Sequence, residues 1–429
     1  MTSYWLERAW AGTGPVQDGL LVEVTDGVFT GITTGPPGDA DRLLGLTIPG
    51  LANCHSHAFH RALRGRTQRG RGTFWTWREQ MYAVVNRLTP DSYFELARAT
   101  YREMVAGGVT AVGEFHYLHH GPGGTPYDDP NAMGRALVEA AREAGIRITL
   151  LDTCYLAAGI GAAPQGVQAR FSDGTGEAWA SRAASGPATG AAIHSVRAVP
   201  QDQMKHVVAW AAERDAPLHV HLSEQLAEND ACQEAFGVTP TELLADVGAL
   251  GPRTSAVHAT HMSEFDIALL GASGTTACFC PTTERDLGDG IGRSRALLEA
   301  GSPLTLGSDS HAVVDLFEEM RAVELDERLA TQERGHWSAS ELLSAATVEG
   351  HRSLGVAAGR IEVGAPADLV TLDTTSVRTA GTGADASTAV FAASGADVVR
   401  VLRDGVDVTV DRTQVGEELD LVIRKLWRG

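Results

Sequence analysis

The feature that most constrains this chain is an alternation, sustained for some 250 residues in the manner of a barrel, of apolar β-rich runs with helical patterns. The β-like runs are LTIPGLANCHSH (46–57), VTAVGEFHY (109–117), RITLLDTCY (147–155) and AAIHSVRAV (191–199). They continue as APLHVHLSE (216–224), TSAVHATHM (254–262), TTACFCPTTE (275–284) and SPLTLGSDSH (302–311). Helix-like stretches such as DSYFELARATYREMVAGG and NAMGRALVEAAREAG lie between them. Parallel strands need such crossovers, and eight strand–helix units close into a (β/α)8 TIM barrel, an α/β fold. Six of the eight runs carry His or Asp within their last four residues, at the barrel face where active sites are built.

The flanks follow a different rule. GLLVEVTDGVFTGITTG near the start, and APADLVTLD and DVVRVLRDGVDVTVD near the end, alternate as half-buried strands do. The Asp-Gly pairs at 26–27 and 404–405 are hairpin-turn signals. Neither flank can bury a core alone, so residues 1–48 and 359–429 are expected to meet as a small β-sandwich beside a 49–358 barrel. The Gly/Ala/Ser stretch around 157–190 reads as a long loop after the third strand.

Composition limits the partners. The chain has 429 residues, 43% of them hydrophobic, and no run apolar enough to span a bilayer. MTSYWLERAW lacks the plan of a signal peptide, and five scattered cysteines do not form a disulfide framework, which points to a cytoplasmic enzyme. A net charge of −19 argues against nucleic acid or an anionic membrane as partner. One stretch breaks that trend: from His55 to Arg78 there is no acid, but Arg61, Arg64, Arg66, Arg69, Arg71 and Arg78 all occur. Most of these read as a solvated loop or subunit contact, and at least one as a fork for an anionic substrate.

His55 and His57 lie two apart at the end of the first barrel run, so in a strand they share a face. Such a pair also occurs in ordinary strands, where each histidine is a partnered core residue. Three later strand ends add to it: His219, His221 and Glu224, then His258 and His261, then Asp309. His221 is nearer its strand's end than His219, which is placed a layer deeper. His55, His57, His221 and Asp309 are donors that zinc accepts, and iron(II) or manganese fits the same set. The only lysines, Lys205 and Lys425, lie away from the strand ends, so a carbamylated-lysine bridge between two metals is excluded and one metal is expected. Cys278 and Cys280 share a strand face and read as buried small residues rather than a metal pair. His116, His119, His120 and His311 read as supporting or surface residues.

The HSH, HLSE, HATH and GSDSH elements, with VGAPADLVTLD after the barrel, resemble the deaminase-type branch of the amidohydrolase superfamily. More narrowly, HSHAFHRAL, FWTWREQMY, EFHYLHH, IHSVRAV and CPTTERDLGDG resemble the N-formimino-L-glutamate deiminases of histidine degradation, through nearly the whole barrel and both flanks. The resemblance implies a homodimer with one Zn2+ per subunit on His55, His57, His221 and Asp309. It implies hydrolysis of N-formimino-L-glutamate to N-formyl-L-glutamate and ammonia. Asp309 would take a proton from water, Glu224 would protonate the imino nitrogen, and His258 would hydrogen-bond the attacking oxygen. Arg78, Tyr117, His194 and Arg197 would contact the substrate, the two arginines serving its carboxylates. Packing against Trp75 and Trp77 is the plainer role for Arg78, and that of a strand-end aromatic for Tyr117. His60 stands where the family motif reads Gln, at a position expected to touch substrate.

Other readings share these residues. A purine or amino-triazine deaminase would use the same metal set without two arginines, and with more use for an aromatic wall. A hydrolase releasing formamide and glutamate differs only in the order of protonation. A non-catalytic scaffold barrel predicts missing ligands, and none is missing.

Overall fold

Four strands open the chain, β1 (Thr2–Ala9), β2 (Gln17–Thr25), β3 (Val28–Thr34) and β4 (Asp41–Pro49), in a computed structural model that describes residues 1–68 and 74–428. Burial alternates along β2, with Leu20, Val22 and Val24 inward, as the period of two requires. At Gly50 the chain passes to a second sheet, so the single run expected over 46–57 is two strands. A Cβ on Gly50 would sit 2.1 Å from the Thr110 hydroxyl oxygen, an approach open only to glycine.

The second sheet is the barrel: β5 (Leu51–Ser56), β6 (Val109–His116), β7 (Arg147–Cys154), β8 (Gly190–Ile193), β9 (Leu218–Leu222), β10 (Thr254–His258), β11 (Thr276–Phe279) and β12 (Leu304–Leu306). All neighbours pair in parallel and in chain order. The ring closes between β12 and β5, where the N–H groups of Ser308 and Asp309 donate to the His55 carbonyl at 3.1 and 3.0 Å. The seam therefore runs through residues singled out for chemistry. These strands are buried almost throughout, as expected of a parallel sheet covered on both faces.

The helix Pro90–Ala106 shows how the outer layer is specified. Thr89 and Ser92 cap its start reciprocally, Pro90 fills the first position, and Tyr93, Leu96, Ala97, Thr100, Tyr101 and Met104 face inward at helical spacing. Several expected runs end early, 254–262 at His258 and 302–311 at Leu306 among them. The run 191–199 stops as strand at Ile193, and the run 275–284 yields to a helix, Pro281–Leu287, whose proline has no N–H for a ladder but suits a first helical turn. The stretch 157–190 is not all loop. Thr175 caps a helix, Gly176–Ala184, that buries Trp179, Arg182 and Ala183; its small residues leave only a faint apolar stripe.

β13 (Leu369–Leu372), β14 (Val398–Arg403) and β15 (Val406–Asp407) join the first four strands in one sheet, ordered β15-β14-β13-β4-β1-β2-β3. The two chain ends do meet, as a single sheet folded over one core: Leu6, Val22 and Phe29 share a cluster with Leu369 and Leu402. The Asp-Gly turns have positive φ at both residues, as hairpin turns of that sequence require. They also touch, a Cβ on Gly27 falling 3.1 Å from that of Asp404. Residues beyond 411 leave the sheet. The helix Arg412–Arg428 packs Val415 and Leu419 against Ala99 of the barrel's outer layer, and Arg102 pairs with Glu418 at 2.5 Å. Among the described residues no helix is long and apolar enough to cross a membrane.

Candidate active site

At the C-terminal ends of β5, β9, β10 and β12, four imidazoles and a carboxylate converge. His55 and His221 bring their Nε2 atoms to 3.0 Å. Asp309 Oδ1 lies 3.5 Å from His55 Nε2 and 3.3 Å from His57 Nε2, and its Oδ2 lies 3.7 Å from His258 Nε2. The backbone here is bent to aim these groups. Ser223, His258, Ala259, Asp309 and His311 all have positive φ, a region that costs non-glycine residues energy and recurs at functional sites.

Neighbours orient the rings. His57 Nδ1 lies 3.0 Å from the Phe115 carbonyl, which can only accept, so this nitrogen carries a proton and the ring is held with Nε2 toward the cluster. His258 Nδ1 faces Glu284 at 3.4 Å, and Glu284 also accepts the Cys280 N–H at 2.9 Å. Burial drives His55 down to about 3 and His221 well below the ordinary imidazole range. Burial also opposes charge on His258, but the carboxylates of Glu224, Glu284 and Asp309 outweigh it and raise it to about 10. Asp309 is held well below the carboxylate range because its histidine hydrogen bonds outweigh its burial. Neutral imidazole nitrogens beside an ionised carboxylate are the donor set a divalent cation needs, so the residues fit one.

A cavity of about 100 Å³ opens above this cluster. His60, Arg78, Tyr117, His194, Arg197 and Glu224 all line it together with His57, His221, His258 and Asp309. His60, in the short turn Ala58–Leu63, places Nε2 3.3 Å from the Tyr117 hydroxyl and is kept neutral by burial. Arg78, on the helix Phe74–Val85, has its guanidinium 5.7 Å from the centre of the Tyr82 ring. Arg197 donates from Nε to Glu228 at 2.7 Å, with Nη2 3.9 Å from Glu224. Burial pushes the Glu224 carboxyl up, opposed by His258 and Arg197.

Sequence reading missed several contributors. Tyr155 and Phe171 build an aromatic wall with Tyr117 and Trp77; Tyr155 ends a strand run and was open to detection. Glu114 accepts from the Ser56 hydroxyl and the Ala58 N–H, both at 2.7 Å, and so braces the segment bearing His55 and His57. Burial raises this carboxyl to about 7. Glu114 and Glu284 lie inside the EFHYLHH and CPTTERDLGDG stretches and Glu228 four residues after the HLSE element, but a sequence pattern does not single them out, because each acts through a neighbour.

Of the remaining expectations some hold and some need correction. His116, His119, His120 and His311 are all buried, none on the surface, and His311 Nε2 lies 3.0 Å from the Ser56 hydroxyl. Arg61 and Arg64 are not solvated loop charges; both pair with Glu103, at 2.5 and 2.6 Å. Arg66 lies over the Trp427 ring at 4.9 Å. Arg69 and Arg71, and the side chain of Trp75, lie outside the described residues. His219 is fully buried on β9, and His261 is partly exposed. All five cysteines are free and buried, with Cys280 Sγ within 4.8 Å of donor atoms of His258 and Asp309. Lys205 lies on the helix Gln201–Glu213, and Lys425 pairs with Glu95 at 2.8 Å, both away from the strand ends.

The chain as a whole is similar to known proteins. The model of the amidohydrolase family matches residues 46–408. The chain is 37% identical to formimidoylglutamate deiminase of Pseudomonas aeruginosa over 97% of both chains. It is 28% identical to 5'-deoxyadenosine deaminase of Methanothermobacter thermautotrophicus over 92% of this chain and 88% of that one. Among solved structures, an amidohydrolase from Brucella melitensis superposes over 100% of both chains with a TM-score of 0.90 and 30% identity. An adenosine deaminase from Xanthomonas campestris with bound zinc covers 100% of this chain and 99% of its own at a TM-score of 0.84; at 22% identity that likeness is one of fold.

Proposed function

Because the chain belongs to the amidohydrolase family, we propose that it hydrolyses the linear amidine of N-formimino-L-glutamate to N-formyl-L-glutamate and ammonia. The observation that carries this reading is one cavity with a His/Asp metal-donor set on its floor and two guanidiniums, Arg78 and Arg197, on its walls. Such a cavity suits a small dicarboxylate bearing a hydrolysable C–N bond. The 37% identity to a formimidoylglutamate deiminase supports the same substrate.

In this reading His55, His57, His221 and Asp309 hold one zinc ion per subunit. A cation bound there supplies acidity, drawing the pKa of water from about 16 toward 7. The chain's own groups do the rest. Asp309 accepts a proton from the attacking water, and His258, steadied by Glu284, hydrogen-bonds the attacking oxygen. Glu224 delivers a proton to the imino nitrogen, then relays the one held by Asp309 to the departing ammonia, and is reprotonated by the hydroxyl as the carbonyl forms. Arg78 and Arg197 fork the two carboxylates, locally offsetting a chain of net charge −19, while His60, Tyr117 and His194 complete the wall. The working form is a cytoplasmic homodimer, with neither nucleic acid nor membrane as partner.

One observation favours a second reading. The wall of Trp77, Tyr117, Tyr155 and Phe171 would also suit an aminopurine. Both readings are tested together by supplying N-formimino-L-glutamate or 5'-deoxyadenosine and following ammonia, formamide and N-formylglutamate with and without chelator. Equal ammonia and N-formylglutamate, lost with the metal, are expected. Formamide and glutamate would overturn the reaction, and turnover of the nucleoside alone would overturn the substrate.

A further inference from the structure

Glu228 stands in the first turn of the helix Leu226–Phe236, just past β9, and is completely buried. A carboxylate so placed is costly unless every lone pair has work, and this one serves two partners from different strands. Its Oε2 accepts Arg197 Nε at 2.7 Å, and its Oε1 accepts the Ser223 N–H at 3.0 Å. Arg197 comes from the turn after β8. Ser223 sits between His221 and Glu224 with φ of 49°, a strained conformation that needs an outside hold.

Arg197 lines the cavity, and fastening it by Nε leaves its two Nη groups as the edge that can fork a carboxylate. Arg197 also has Glu224 within reach, at 3.9 Å from Nη2. An unfastened guanidinium would close that gap and pair with the acid instead of a ligand. We propose that Glu228 is the positioning residue that aims Arg197 at a carboxylate of the substrate while holding the turn before Glu224. This rests on the reading of Arg197 as a substrate clamp.

The test is a double-mutant cycle. In Glu228→Gln the amide oxygen keeps the Ser223 N–H, while its NH2 meets Arg197 donor to donor, so only the clamp is released. KM for N-formimino-L-glutamate is expected to rise about tenfold with kcat little changed, the scale of a misaimed but intact binding group. In an Arg197→Met background the same change is expected to leave KM within about twofold, because residues acting as a unit are not additive. A fall in kcat at unchanged KM, or losses that multiply in the double variant, would overturn the proposal. Should the wild type not turn over the amidine, the functional reading fails by itself. Glutarate affinity of the same four proteins, measured by calorimetry, then decides the role of Glu228 by the same criterion. Circular dichroism and metal content verify each fold; if Glu228→Gln does not fold, Glu228→Asp, with its charge withdrawn by one methylene, takes its place in the cycle.

Discussion

Two buried clusters of histidine and aspartate stand at the same end of the barrel, and they are neutralised in opposite ways. At the ends of β6 and β7 and in the segments that follow them lie His116, His119, His120, Asp152 and Asp173, with a cation built in. Arg182 donates to Asp152 at 2.9 and 2.8 Å and to Asp173 at 2.9 Å, and the Trp179 indole adds a bond to Asp152 at 2.8 Å. At the ends of β5, β9, β10 and β12 there is no such answer. The ion-pair partners of Asp309 are histidines alone among the described residues, and two imidazole nitrogens face each other at 3.0 Å. The same residue types thus make a self-contained brace in one place and a donor set suited to an external cation in the other.

Substitutions should separate the two. The largest effect is expected at Asp309→Asn: loss of bound metal and a fall in kcat of at least about a thousandfold, since a ligand and a proton acceptor go together. Metal analysis beside steady-state kinetics reads both. Glu224→Gln should lower kcat about a hundredfold or more through the lost proton donor while metal content stays unchanged. Arg182→Met should invert the pattern, keeping the metal but costing about 3–5 kcal/mol of stability in urea unfolding, because two buried carboxylates lose their cation.

The smallest expected effect is one of pH. Burial pushes the Asp173 carboxyl up, but His120 and Arg182 outweigh it and hold it well below the ordinary range. Its contribution to stability is therefore present above the unfolded value of about 4 and is lost as pH falls below it. The urea midpoint of the wild type should drop more steeply below about pH 4 than that of Asp173→Asn. Parallel curves would remove Asp173 from the brace.

The histidine cluster was legible because barrel strands expose their C-terminal residues to one shared space, so that spacing in β5 and β9 already implied direction. The brace was not legible. Arg182 lies in a helix whose Gly, Ala and Ser neighbours hide its period, and its partners Asp152 and Asp173 come from other segments. Glu228 was hidden for the same reason, since its meaning lies in whom it touches. The terminal helix was open to detection. Val415, Leu419, Val422 and Leu426 recur at helical spacing, but the β-like pattern upstream was extended over them. Gly50 divides two strands that read as one, because both sides of it are buried and apolar.

Anomalous diffraction at the zinc edge, from crystals grown with zinc, tests the contrast most directly. One peak per chain is predicted, enclosed by His55, His57, His221 and Asp309, with none beside Asp152 and Asp173. A chain without that peak, or with zinc seated in the Arg182 cluster instead, would contradict the account.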